Sequence, residues 1–191
     1  MASISDRLSP RARQIVAAAR TLLEERGRAG LSMRNLAAEL GMRAPSLYKH
    51  FSSKEAIEAI LISIGFEEQA ALFEAALERA GAPLAAMAAA YRDYARANPE
   101  LYRLMYDSPL NRALLEPGSE EAAAAPSLRV TGGDQHLARA AWAFAHGMTI
   151  FELNDRFSEG ADLDAAWRRG LDALQAAAPP AAAPRRRRGA P

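Results

Sequence analysis

The sequence predicts an all-α protein, on two grounds. Apolar residues return every three or four positions along almost the whole chain, which is the spacing of one helix face. Helix-start and helix-stop signals separate these stretches: Ser or Asn ahead of Pro, single Ser residues before apolar runs, and Gly at the ends.

Taken in order, Ser9-Pro10 opens the first helix, with Ile15, Ala18, Leu22 and Leu23 on one face until Gly27. Ser32 opens a short second helix carrying Leu36 and Leu40, and Gly41 closes it. A third short helix covers about 44–50. Ser53 caps a long fourth helix over about 54–79, with Phe66, Ala70, Phe73 and Leu77 at helical spacing. After Gly81 and Pro83, a fifth helix aligns Leu84, Met87, Tyr91 and Tyr94, and Asn98-Pro99 caps a sixth through Tyr106. Over 108–134 the pattern is interrupted by Pro109, Pro117, Pro126 and Gly132-Gly133, which leaves room for at most a short helix near 120–125. From 135 to about 155 the apolar positions Leu137, Ala141, Phe144, Met148 and Phe151 form a continuous seam, and a last helix holds Leu163, Trp167, Leu171 and Leu174. Residues 179–191, rich in Pro, Ala and Arg, have nothing to bury and are expected to be disordered. The expected division is a three-helix head over 1–53, a helical body over 54–178, and this tail.

Composition narrows the function. Half of the 191 residues are apolar and a quarter are charged, as in ordinary globular proteins. The absence of cysteine excludes disulfides and thiolate metal sites. No apolar run approaches the roughly 18 residues of a membrane span, and the short polar N-terminus lacks a signal-peptide core, so a cytoplasmic chain without membrane contact is expected. The net charge of +1 hides an asymmetry: residues 1–55 carry +5, residues 56–178 carry −8, and the tail carries +4 from Arg185 to Arg188. A basic head on an acidic body directs only the head toward a polyanion.

Within the head, Ala37, Gly41 and Leu47 have the spacing of two helices crossing at a tight turn: a small residue under the crossing, a turn glycine, and an apolar plug. That spacing occurs in many helical hairpins. Its surroundings are more telling, because Ser32, Arg34, Arg43, Ser46, Tyr48, Lys49, His50 and Lys54 crowd one short segment with phosphate-compatible donors.

The stretch LSMRNLAAELGMRAPSLYKHFSSKEAI, residues 31–57, resembles the DNA-binding signature of the TetR family almost residue for residue, and RQIVAAARTLLEERG upstream is similar to that family's first helix. Trp142, His146 and Gly147 stand in the spacing of the Trp-His-Gly motif that names one C-terminal subclass. The resemblance implies a helix-turn-helix DNA-binding domain on a ligand-binding and dimerisation domain, acting as a homodimeric repressor on a palindromic double-stranded operator and released by a small hydrophobic effector. It also implies phosphate contacts for Tyr48, His50 and Lys54, with Lys54 at a helix N-terminus that itself attracts anions. Ser46 suits a phosphate or a base edge, Lys49 suits a phosphate, and Pro45 suits a thymine methyl. Arg34 and Arg43 are the candidates for reading guanine, since a guanidinium matches its two acceptors; a phosphate-only role is equally open to either. Ala44 stands where some relatives carry a longer polar reader, which makes reading there weak or apolar.

In the body, the seam Leu137, Ala141, Phe144, Met148 and Phe151, with Trp167 and Leu171, fits a four-helix dimer interface. The same stripes fit a subunit's own core, and both readings stand. Tyr91, Tyr94, Tyr106, Trp142 and His146 are the pocket candidates, each with a polar handle on an apolar body. The loss of pattern over 108–134 predicts an open or reduced pocket wall. Among alternatives, an enzyme lacks paired carboxylates, ligand spacing or a phosphate loop, so no catalytic residue, metal or cofactor is expected. A DNA-binding architectural protein with a vestigial pocket shares the head but needs no effector.

Overall fold

A computed structural model describes residues 3–78 and 81–177, and the tail expected at 179–191 lies outside the described residues. The described residues form helices joined by short loops, with no strand among them. A single turn, α1 (Ile4–Arg7), precedes α2 (Pro10–Gly30), α3 (Met33–Glu39) and the short α4 (Ala44–Leu47). The body comprises α5 (Lys54–Leu77), α6 (Pro83–Ala97), α7 (Pro99–Tyr106), a 3-10 turn at Arg112–Leu114, α8 (Ser119–Val130), α9 (Gln135–Leu153) and α10 (Leu163–Ala176).

Most starts follow from side-chain caps. The hydroxyls of Ser9, Ser32 and Ser53 accept the amides of Ala12, Asn35 and Ala56 at 3.1–3.2 Å, and Asp134 and Asp162 do the same for α9 and α10. The Asn98 cap expected for α7 is a correction. Asn98 makes no cap bond; its oxygen takes a hydrogen bond from Arg20 instead. The α7 amides of Glu100 and Leu101 donate to the Glu24 carboxylate on α2, at 3.1 and 2.9 Å, because a charged acceptor from a neighbouring helix suits the positive end of a helix better than a neutral amide.

Two further expectations are corrected. The third helix ends at Leu47 and continues to His50 as turns. The segment 108–134 holds a full helix, α8, although Pro126 lies inside it and forfeits a backbone hydrogen bond. Tertiary packing outweighs that loss: α8 lies along α5, Pro126 is buried, and the Arg129 guanidinium forks onto both carboxylate oxygens of Glu74. Sequence pattern had registered the breaker but not the packing.

The core has two parts sharing one spine. Ile15, Leu22 and Leu23 of α2 pack on Leu36, Leu47 and Ile57, while Phe73, Tyr91, Tyr102 and Trp167 anchor the second cluster. Helix α5 is apolar on nearly every side because it runs through both clusters. At its break, α2 reaches φ 63°, ψ 179° at Gly27, where a Cβ would stand 3.2 Å from a Glu100 carboxylate oxygen.

Candidate functional site

The turn between α3 and α4 has the hydrogen bonds of a Schellman cap: Met42 N–H donates to Ala37 C=O at 2.8 Å and Gly41 N–H to Ala38 C=O at 3.1 Å, with Gly41 at φ 60°. Leu36, Ala37 and Leu47 are buried beneath this turn, so α4 crosses α3 with its plug seated. The crossing leaves Arg34, Arg43, Pro45, Tyr48, Lys49 and His50 exposed on the head's outer surface. Ser32 and Ser46 are half-buried. The Ser32 oxygen is spent on the α3 cap, but its hydroxyl hydrogen stays available to a phosphate. Ala44 packs partly against the head core.

Lys54 is placed differently from its neighbours. Its ammonium donates to the Arg28 carbonyl at 3.0 Å and pairs with Glu58 at 3.3 Å. Glu58 is buried and also receives a two-pronged hydrogen bond from Arg28, at 3.0 and 2.9 Å; this bond raises the Arg28 pKa. Lys54 is therefore engaged as a counter-charge, but it stays partly exposed, and the third hydrogen of its ammonium remains available to a phosphate. A buried carboxylate is costly without paired cations, and Lys54 and Arg28 supply them. Arg28 extends the same network by donating to the hydroxyl of Ser108.

Ser108 lines a cavity of about 340 Å³ in the body. Phe66, Gln69 and Phe73 of α5 form one wall; Met87 and Tyr91 of α6 and Tyr106 of α7 form the next. Helix α8 supplies Ala123, Ala124 and Ser127, so a helix stands at the wall expected to be open or reduced. Trp142 of α9 lines the rim with half of its surface exposed. The size lies within the range of pockets that hold small organic molecules.

Of the five pocket candidates, Tyr91, Tyr106 and Trp142 line the cavity. Tyr94 does not, which corrects its assignment: it is buried away from the cavity with its hydroxyl donating to Glu68 at 2.8 Å, and burial raises its pKa well above the usual phenol value. His146 stands behind the lining, its ring 5.6 Å from Tyr106 and 6.3 Å from Trp142. Its Nδ1 is 2.7 Å from the Tyr102 hydroxyl, which is in turn 2.9 Å from that of Tyr91. Burial lowers the His146 pKa, against an opposing pull from Asp107. A neutral imidazole accepts from Tyr102, whose oxygen accepts from Tyr91, so the chain runs outward from the cavity wall with every member satisfied. Sequence reading missed three residues here: Gln69, Tyr102 and Arg28. Gln69 was legible as the one polar side chain between Phe66 and Phe73 on an apolar stripe.

Residues 15–58 match the family model described as bacterial regulatory proteins, tetR family, and residues 84–174 match the one described as tetracyclin repressor-like, C-terminal domain. The HTH-type transcriptional regulator Rv0681 of Mycobacterium tuberculosis (strain ATCC 25618 / H37Rv) is 31% identical over 153 residues, covering 73% of this chain and 68% of that protein. The chain belongs to the TetR family. Rv1816 of the same strain is 31% identical over 102 residues, or 51% of this chain, and the match spans only 44% of that protein's length. Among solved structures, superposition on a protein of unknown function from Rhodococcus sp. RHA1 has a TM-score of 0.75 at 28% identity, covering 89% of this chain and 96% of that one. A variant TetR of Acinetobacter baumannii AYE in complex with minocycline shares the fold, with a TM-score of 0.61 at 23% identity and coverage of 89% and 96%.

In this TetR-family chain the seven expected interface residues do not share one face. Leu137, Ala141, Trp167 and Leu171 are buried within the subunit. The Trp167 indole donates to Glu152 at 2.6 Å and lies under the Arg92 guanidinium, and Phe144 meets its edge at 5.5 Å. Phe144 fills the gap over Gly170, where any Cβ would collide with its ring. Phe144 and Met148 are half-buried, leaving Phe151 as the one member that is largely exposed. The helical period reported the inward face, since a core stripe and an interface stripe have the same spacing. The outward face of α9 carries Ala140, Ala143 and Phe151, and that of α10 carries Ala166 and Ala173. No helix among the described residues is long and apolar enough to cross a membrane.

Proposed function

We propose that this chain is a homodimeric cytoplasmic repressor that binds a palindromic operator through α3 and α4 and leaves it when a small, largely apolar effector fills the cavity. One observation carries the reading: the cavity and the head are joined by a continuous polar path. Ser108 on the cavity wall is held by Arg28, Arg28 by Glu58, and Lys54, at the first residue of α5, by Glu58 and the Arg28 carbonyl. A ligand that displaces the 108 segment changes the set of contacts that orients the head. It shifts DNA affinity only as far as it prefers one arrangement over the other.

Dimerisation through the small-residue faces of α9 and α10 sets two heads side by side, as a palindrome requires. Trp142, His146 and Gly147 on α9 support placement in the Trp-His-Gly subclass. The minocycline complex of the Acinetobacter protein supports a ligand role for this body. The test is fluorescence anisotropy with DNA fragments tiled across the chain's own upstream region, at fixed salt. The reading requires a fragment bound at least about 1,000-fold tighter than random duplex. Arg43→Ala should relax preference at one base pair by about 1–3 kcal/mol, whereas Tyr48→Phe should weaken all sequences alike. Uniformly weak binding to every fragment and to random DNA would overturn it.

A further inference from the structure

We propose, resting on the effector reading above, that the molecule taken up by the cavity is uncharged and mostly apolar and carries an acceptor oxygen, such as a ketone or amide carbonyl, that meets the side-chain amide of Gln69.

Gln69 is 1% exposed and lines the cavity. Its oxygen accepts from the Tyr106 hydroxyl at 2.7 Å, but Nε2 has no hydrogen-bond partner. Turning the amide over does not remove the demand. An amide nitrogen carries two hydrogens, and Tyr106 can take only one of them, so at least one N–H of this cavity-lining residue is left without an acceptor in either orientation. A buried donor without an acceptor is costly, and a ligand oxygen placed against it relieves that cost on binding.

The rest of the wall sets the ligand's other properties. Around Gln69 stand Phe66, Phe73, Tyr91, Tyr106 and Met105, which favour a flat apolar body. The phenols of Tyr91 and Tyr106 stay neutral, since burial raises both pKa values. Arg112 and Glu120 neutralise each other across the wall in a two-pronged pair, at 2.7 and 2.8 Å. Arg139 is exposed at the rim and donates to Gln135. Arg139 at that rim is thus the one lining charge without an opposite charge beside it among the described residues, and a carboxylate seated against Gln69 without reaching the rim would be desolvated without a counter-ion.

The test uses three matched probes on the full chain: 2-acetylnaphthalene, its hydrocarbon isostere 2-isopropenylnaphthalene, and 2-naphthoate. Affinities are measured by isothermal titration calorimetry for the natural chain, Gln69→Leu and Gln69→Met, with the two variants checked for unchanged helix content. The expected result is that the ketone-to-hydrocarbon affinity ratio falls about 10-fold in both variants, and that naphthoate binds the natural chain more weakly than the ketone. A ratio unchanged by both substitutions, or naphthoate binding more tightly than the ketone, overturns the inference and leaves the effector reading standing. No binding of any probe up to its solubility overturns both. Whether the bound ketone loosens operator DNA is read separately by anisotropy. Binding with the expected ratio but without loosening supports the Gln69 assignment and counts against effector-driven release.

Discussion

Replacing Gln69 and Tyr106 together, as Gln69→Leu with Tyr106→Phe, should make the ligand-free protein more stable. In the natural chain the two side chains share one hydrogen bond, and the amide nitrogen has no partner despite 1% exposure. An unsatisfied buried donor costs about 1–3 kcal/mol, and a satisfied hydrogen bond contributes about 0.5–1.5 kcal/mol net. The double replacement removes both and substitutes apolar groups of similar size, for an expected gain of about 1 kcal/mol. Each single replacement strands the other partner: Gln69→Leu leaves the Tyr106 hydroxyl without its acceptor, and Tyr106→Phe leaves the whole amide unpaired. The singles should fall at or below the natural stability, and the pair should be non-additive with positive sign. Urea unfolding followed by circular dichroism at a fixed protein concentration measures this, with about 2–4 °C in Tm per kcal/mol as the thermal counterpart. A double variant less stable than either single would refute the reasoning, because the amide would then already be satisfied in the ligand-free cavity.

Ser108→Ala should leave both DNA affinity and probe affinity nearly unchanged while reducing the fold-loss of DNA binding that the probe causes; anisotropy with and without 2-acetylnaphthalene reads the difference, and an unchanged fold-loss removes Ser108 from the path. Ala143→Glu or Phe151→Glu should give folded monomers in sedimentation, whereas Leu171→Glu should unfold the subunit, since Leu171 is buried within it. For His146, burial holds the folded pKa below 6.5, so the folded chain binds fewer protons than the unfolded one just below that value. Its contribution to stability is therefore constant above pH 6.5 and is lost as pH falls from there toward the folded value. His146→Gln should flatten that part of the urea-stability profile, and an equally steep profile in the variant would assign the slope elsewhere.

Local rules made most helix starts legible. Ser9, Ser32 and Ser53 cap through atoms next to them in the chain, and the Ala37, Gly41 and Leu47 spacing encodes a turn that closes within six residues. Two helix-level failures share one cause, which is that the deciding partner lies far along the chain. Glu24 replaces Asn98 as the α7 cap from 76 residues away, and α5 carries α8 past Pro126. Lys54 is mixed: its partner Glu58 stands only four residues on, a pair the sequence displays, whereas the Arg28 carbonyl lies 26 residues back. The aromatic candidates were chosen for their chemistry, and that choice located three of the cavity's lining residues. Which of them turn away, as Tyr94 does toward Glu68, depends on packing that no periodicity carries.

The Glu24 carboxylate has a consequence for modularity. The first-turn amides of α7 belong to the body, yet the group that satisfies them is borne on α2, next to the Gly27 break that makes room for Glu100. Head and body thus each hold half of one cap. A chimera that grafts this head onto a foreign body, or this body onto a foreign head, severs it and exposes a helix terminus on one side and a stranded carboxylate on the other. Exchange of DNA specificity between such regulators is therefore better done by replacing the surface residues of α3 and α4 than by moving the head as a block, because those residues lie outside the seam that the two halves share.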